Sequence, residues 1–346
     1  MSVFGRILAV LTGSPADRDV IVRTTSLAGA FGAEVVLLRS DPASTARSEW
    51  GSAEDRVSRG FLESDLSSRA LSLVTRLGTS PGASVRVSSI VARGRLDAEI
   101  ARVVERSGAE LVALSGEPKT EGEESSARAA RNTLERVGAS VLLTRGDSPG
   151  ADGSVLVPLE CSPRSEWTVG IGTRIARHVR APLWLGHVVT VPVLPGDAAS
   201  EPVLADLIEG VRRARYGDAE RYLGETAERI RSRGLSVQSA AVHARSIAHG
   251  LLELERRAGA GLIVLHARGE TGCRERAHGS AARAALELAN ASVLVLEERT
   301  SPWRAGGRSE LMAEPMAEPG GGLLPHSYRI RRRIRTPSET GTGADG

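Results

Sequence analysis

Gly5-Arg6-Ile7-Leu8-Ala9-Val10-Leu11-Thr12-Gly13-Ser14-Pro15 and Gly153-Ser154-Val155-Leu156-Val157-Pro158-Leu159-Glu160-Cys161-Ser162-Pro163 are two versions of one segment. Each runs from a glycine through a short aliphatic stretch to a small polar turn and a proline. Further along, Gly108-Ala109-Glu110-Leu111-Val112-Ala113-Leu114 pairs with Gly259-Ala260-Gly261-Leu262-Ile263-Val264-Leu265, and Val141-Leu142-Leu143 with Val293-Leu294-Val295. The offset drifts only from 148 to 152 residues. Solenoid repeats recur every 20–50 residues or so, which makes this period a duplicated domain.

Composition agrees. At 346 residues the chain exceeds one ordinary core, and two units of roughly 145 residues fall near the common domain size. Aromatics are 3% of residues, so the cores are aliphatic. The net charge of +3 conceals a skew: Lys119 is the only lysine among 45 basic residues, which leaves 44 arginines. They are interspersed with Asp and Glu, the pattern of a solvated surface rather than a nucleic-acid face. The opening residues have no basic leader with a long apolar core, and no stretch approaches the ~18 apolar residues of a membrane span. Two cysteines exclude a disulfide framework. The expected compartment is the cytoplasm.

Apolar runs and helical periodicities alternate. Strands are expected at 7–11, 34–38, 84–91, 110–114 and 140–144, with helices at 15–31, 52–77, 96–107 and 125–137. The second half repeats this, with strands at 155–159, 183–187, 236–242, 262–265 and 292–296 and helices at 163–179, 203–233, 246–258 and 278–288. Short, uniformly apolar strands between amphipathic helices imply parallel sheets covered on both faces. The fold class is α/β: two tandem doubly wound sandwich domains, each with a five-stranded parallel sheet in the order 3-2-1-4-5. Their ligands bind beyond the carboxyl ends of the strands. The domains are expected at 1–146 and 152–298, joined by a Gly/Asp/Ser/Pro linker. From residue 300 the pattern dissolves into a tail expected to be disordered, whose Tyr328-Arg329-Ile330-Arg331-Arg332-Arg333-Ile334-Arg335 reads as a solvated basic run.

One loop carries chemistry. After strand 262–265 the chain reads His266-Ala267-Arg268-Gly269-Glu270-Thr271-Gly272-Cys273-Arg274-Glu275-Arg276-Ala277-His278-Gly279-Ser280-Ala281. Gly279-Ser280 opens a helix, where first-turn N–H groups, the positive dipole end and a serine hydroxyl favour an anion. Together with the β-α layout, this resembles the universal stress protein family. Its nucleotide-binding members carry G-x2-G-x9-G-[ST] after the fourth strand and an Asp-Gly-Ser turn after the first. Gly269, Gly279 and Ser280 match the last three elements of the long motif, and His266 stands where its first glycine would be. The turn reads Glu160-Cys161-Ser162. The resemblance implies that Glu160 contacts a nucleoside, and that the backbone of Gly269, Gly279, Ser280 and Ala281 wraps the phosphates of ATP. In the first half the turn is Thr12-Gly13-Ser14, with no acid, and the later loop carries Glu117, Glu121, Glu123 and Glu124. That half reads as a packing partner. The resemblance covers about residues 3–298.

His187, His243 and His266 are expected to end the second, third and fourth strands of the second half. Cys161 ends the first, and Cys273 and His278 lie on the loop above. The spacing holds no compact metal signature, so no metal site is assigned; a thiol pair between Cys161 and Cys273 is the other reading of this edge. No G-x-S-x-G elbow, H-E-x-x-H or Walker loop occurs, so an enzyme is not favoured beyond slow ATP hydrolysis. The resulting expectation is a stress-linked regulator that binds an adenine nucleotide weakly or conditionally in its second half. It works as a homodimer or an intramolecular domain pair, without membrane or nucleic-acid partners. The alternative is a nucleotide-independent interaction module with vestigial sites.

Overall fold

The computed structural model describes residues 3–40, 85–92, 96–116, 126–146, 153–160, 163–190, 202–267 and 279–297. The expected helix 52–77, the tail from 300 and the residues Cys161, Ser162, Gly269, Cys273 and His278 lie outside them. Strands are β1 (Arg6–Leu11), β2 (Glu34–Ser40), β3 (Val87–Ala92), β4 (Leu111–Ser115), β5 (Ser140–Thr144), β6 (Ser154–Pro158), β7 (Leu183–Thr190), β8 (Val237–Ala244), β9 (Ala260–His266) and β10 (Ser292–Leu296). Helices are α1 (Asp17–Phe31), α2 (Leu96–Ser107), α3 (Ser126–Val137), α4 (Pro163–Val179), α5 (Pro202–Arg231), α6 (Ile247–Ala258) and α7 (Ser280–Leu288).

All ten strands lie in one sheet, ordered β3-β2-β1-β4-β5-β10-β9-β6-β7-β8. Each half therefore has the expected 3-2-1-4-5 order, and every pairing within a half is parallel. Because the strands are covered on both faces, alternate residues of one aliphatic run enter different cores. Ile7, Ala9 and Leu11 of β1 join the core beneath α1, α4 and α5, whereas Leu8 and Val10 join the one beneath α2, α3, α6 and α7. Each core runs through both halves without a break.

The seam is the antiparallel pair β5–β10, with Val141 opposite Val295, Leu142 opposite Leu294 and Leu143 opposite Val293. All six side chains are fully buried, and burying each is worth roughly 1.5–3 kcal/mol. Two buried serines close the strand ends reciprocally: Ser292 Oγ accepts from Arg145 N at 3.0 Å, and Ser140 Oγ from Glu297 N at 3.1 Å. Both pairs are related by the 152-residue offset of the repeat, so the seam has a local two-fold. On one face α4 meets α1. Arg174 Nε donates to Ala30 O (2.7 Å) at the end of α1, and its guanidinium lies 4.9 Å from the Phe31 ring centre. A carbonyl at a helix end and an aromatic face both favour that cation. On the other face Arg131 of α3 pairs with Glu287 of α7, and Arg145 Nη2 donates to Leu286 O at 2.6 Å. The two repeat halves therefore share one continuous sheet.

Ser140→Ala should destabilise the full chain by about 1–3 kcal/mol in a urea titration, because the Glu297 N–H it serves is buried. Ser292→Ala should cost less, since Arg145 is only half-buried and water can replace the hydroxyl. Equal losses would contradict this ordering.

His178 is wedged at the α1–α4 contact. A Cβ added to Gly29 would lie 2.9 Å from its Nε2. Burial, and then the positive charge of Arg174, hold the His178 imidazole below its ordinary value. The unfolded value is about 6.5, so protons favour the unfolded chain. The stability from neutral His178 is present above that pH and is lost as pH falls below it through the folded value. Urea titrations between pH 7.5 and 5.5 should show this loss, and His178→Gln should flatten that part of the profile.

Candidate functional site

In the second half β6 and β9 are neighbours, and the chain leaves β6 through α4 toward β7 on its other side. This is the point where strand order reverses, and folds of this class bind ligands at such points, beyond the carboxyl ends of the strands. The β6 ladder continues one residue further through Leu159 N→Gly186 O at 2.7 Å, and Glu160 follows, exposed at the rim. On the β9 side, Ala267 N donates to Leu296 O at 2.8 Å. The loop 268–278 is then closed at its base by Gly279 N→Ala267 O at 2.8 Å.

Gly279 is the N-cap of α7, extended at φ −65° and ψ 155°, with no side chain to cap the helix. The first intrahelical bond is Arg283 N→Gly279 O at 3.1 Å, which leaves the N–H groups of Ser280, Ala281 and Ala282 without an intrahelical acceptor. Ser280 is exposed, Ala281 half-buried and Ala282 fully buried. A small side-chain-free opening and a positive dipole end can hold an anion. Of the expected backbone donors, however, Gly279 N–H is already engaged.

His266, the last residue of β9, lies edge-on to Trp167, one turn into α4, with ring centres 5.7 Å apart at 68°. Trp167 Nε1 is buried and has no hydrogen-bond partner among the described residues. The imidazole and indole therefore occupy the approach between α4 and β9. The sequence reading singled out His266 but missed Trp167. A tryptophan in the first turns after Pro163, facing the strand that His266 ends, was the available signal.

The register places the three histidines near the carboxyl ends of β7, β8 and β9, but each side chain has its own partner. His187 is inside β7, which continues through Val188 and Val189 to Thr190, so the expectation that His187 ends this strand is corrected. Its Nδ1 lies 2.7 Å from Leu159 O; a carbonyl only accepts, so Nδ1 carries the proton. His243, next to last in β8, stacks on Tyr216 at 4.5 Å and 23°. Among the described residues no group of three or more His, Cys, Asp or Glu is placed to hold a metal ion. The thiol pair of Cys161 and Cys273 lies outside them.

The corresponding turn of the first half is filled from within. Asp17, the first residue of α1, accepts from Thr12 N at 2.9 Å and from Gly13 N at 2.8 Å. Gly13 has φ +84°, which lets the two N–H groups converge on that carboxylate. Ser14-Pro15-Ala16-Asp17 fits the S-x-x-D helix-start pattern, and that signal would have revealed the acid.

Among the described residues no helix is long and apolar enough to cross a membrane. No curated protein matches the sequence. Among solved structures, the fold is shared with a universal stress protein from Pseudomonas aeruginosa UCBPP-PA14, at 15% identity, TM-score 0.56, and coverage of 86% of this chain and 95% of that one. It is shared equally with a universal stress protein from Archaeoglobus fulgidus DSM 4304, at 13% identity, TM-score 0.55, and coverage of 85% and 98%. The model of the universal stress protein family matches residues 153–297, the whole of the half that carries the crevice. Residues 153–297 are therefore a domain of the universal stress protein family.

Proposed function

We propose that this chain is a stress-linked regulatory protein, built from repeat units 1–146 and 152–298, that binds ATP at the crevice of the second unit and is not a catalyst. The observation that carries this reading is the α7 start: three N–H groups without intrahelical acceptors at the β6/β9 switch point, behind an N-cap with no side chain. The triphosphate would take the Ser280 and Ala281 N–H groups and the Ser280 hydroxyl, and the exposed Glu160 carboxylate would face the nucleoside. Gly269, Cys161 and Ser162 complete the proposed lining. The His266–Trp167 contact restricts the approach, and so affinity is weak or conditional.

In calorimetric titration of the full chain with ATP, Ser280→Asp should reduce affinity at least tenfold. It should leave thermal stability unchanged or slightly raised, because a carboxylate in the first turn complements the dipole while repelling phosphate. Unaltered binding would exclude the α7 site.

His266→Gly should strengthen ATP binding, because it removes the ring from the approach and restores the missing glycine. A weakening that varies between about pH 5.5 and 7.5 would make the imidazole part of the phosphate site instead. The nucleotide-independent interaction module is favoured by one observation, the Gly279 N–H already bonded to Ala267. It would prevail if neither the parent chain nor His266→Gly takes up ATP.

A further inference from the structure

Five helices end on a glycine in the left-handed conformation: Gly32 after α1, Gly108 after α2, Gly138 after α3, Gly234 after α5 and Gly259 after α6. Helix α4 ends instead on Arg180, at φ +56°, the single non-glycine residue with positive φ among the described residues. A side chain is strained there, because its Cβ crowds the following carbonyl. The repeat supplies an internal control, since Arg180 stands where the first half has Gly32.

The same comparison extends along the amino edge of the strands. In the first half Glu34 holds Arg6 at 2.8 Å and Arg86 at 2.6 Å, and Glu110 accepts from the Gly5 and Arg6 backbones. Cations and acids there balance. In the second half Glu34 is replaced by Pro182 and Glu110 by Gly261, and an arginine is added at 180. Arg177, Arg180, Ala181, Pro182, Gly234, Leu235 and Ser236 line an open groove of about 320 Å³.

Nothing among the described residues neutralises its arginines. From Trp167 to Thr190 the sequence has no acid. Arg177, Arg180 and Arg233 make no ion pair among the described residues, and Glu228, on the last turn of α5, is already paired with Arg231 at 3.2 Å. Arg177 Nη2 donates to Arg233 O at 3.0 Å, which ties the ends of α4 and α5 together and fixes that guanidinium. Arginines at helix C-termini ordinarily complement the dipole, about half a negative charge per helix. Two helix ends supply roughly one such charge against three guanidinium groups, so the groove remains positive. Exposed planar donors of this kind match the oxygens of a phosphate.

We propose that this groove binds a small phosphate monoester, with Arg180 and Arg177 taking the phosphate oxygens, the Ser236 hydroxyl donating beside them, and Ala181, Pro182 and Leu235 supporting the organic part. The site lies at the opposite end of the second half's strands from the α7 crevice and does not depend on ATP binding there. Titration of the full chain with inorganic phosphate and with glycerol 3-phosphate at constant ionic strength, read by calorimetry, tests it. Binding of glycerol 3-phosphate, tighter than inorganic phosphate, is expected, and it should persist in Ser280→Asp.

Arg180→Gly relieves the strained backbone, so the variant should melt higher without ligand yet bind glycerol 3-phosphate at least tenfold more weakly. Arg177→Gln should weaken binding to a similar extent. A higher melting temperature with unchanged affinity would reduce Arg180 to a helix end and overturn the proposal. Loss of binding in Ser280→Asp would move the ligand to α7, with the same result. Uptake of a short single-stranded oligonucleotide but of neither phosphate compound would replace the small molecule with a nucleic acid.

Discussion

Val141, Leu142 and Leu143 lie against Val295, Leu294 and Val293, and on these three antiparallel pairs the rest of the structure depends. An edge strand presents unpaired N–H and C=O groups that need a partner. Each half of a duplicated chain ends its sheet with such a strand, and here the two edges satisfy one another. The result is one sheet with a continuous aliphatic core on each face, so the halves do not behave as beads on a linker. The flanking contacts follow from it: Arg174 can reach Ala30, and Arg131 can reach Glu287, only because β5 and β10 are in register.

Sequence divergence between the halves has different physical results at the two turns. In the first, Asp17 supplies a permanent carboxylate to the Thr12 and Gly13 N–H groups, so the chain carries its own anion where a ligand would compete. In the second, the acid Glu160 follows the strand end and is exposed. The crevice there is narrowed by aromatic contact instead of charge. An anion at the first turn would have to displace Asp17, a tethered carboxylate, from the exposed Thr12 and Gly13 N–H groups, whereas the start of α7 has no side-chain cap. This difference supports the proposal that a ligand would bind in the second half.

Much of this was legible in the sequence, and for an identifiable reason. Short aliphatic runs between helical periodicities admit few other readings, and α4, β5 and β10 begin and end where the pattern places them. The doubly wound class followed from right-handed crossovers. What escaped depends on contacts between distant residues. His187 looked like a polar strand end because nothing local shows that its Nδ1 would reach the Leu159 carbonyl. Trp167 meeting His266 joins positions 99 apart in the chain. The left-handed Arg180 was hidden for another reason: an arginine near a helix terminus is ordinary, and only its φ of +56° makes it informative.

The antiparallel seam also limits how copies of this chain can assemble. With β5 and β10 consumed internally, the sheet's remaining borders among the described residues are β3 and β8, which occupy equivalent places in the two halves. A second copy that extends the sheet must add at one of them, and whichever it uses, the assembly still has a free border at each end. A two-fold pairing of β8 with β8, or of β3 with β3, makes a finite pair, whereas β3 against β8 adds copies head to tail in an open ribbon.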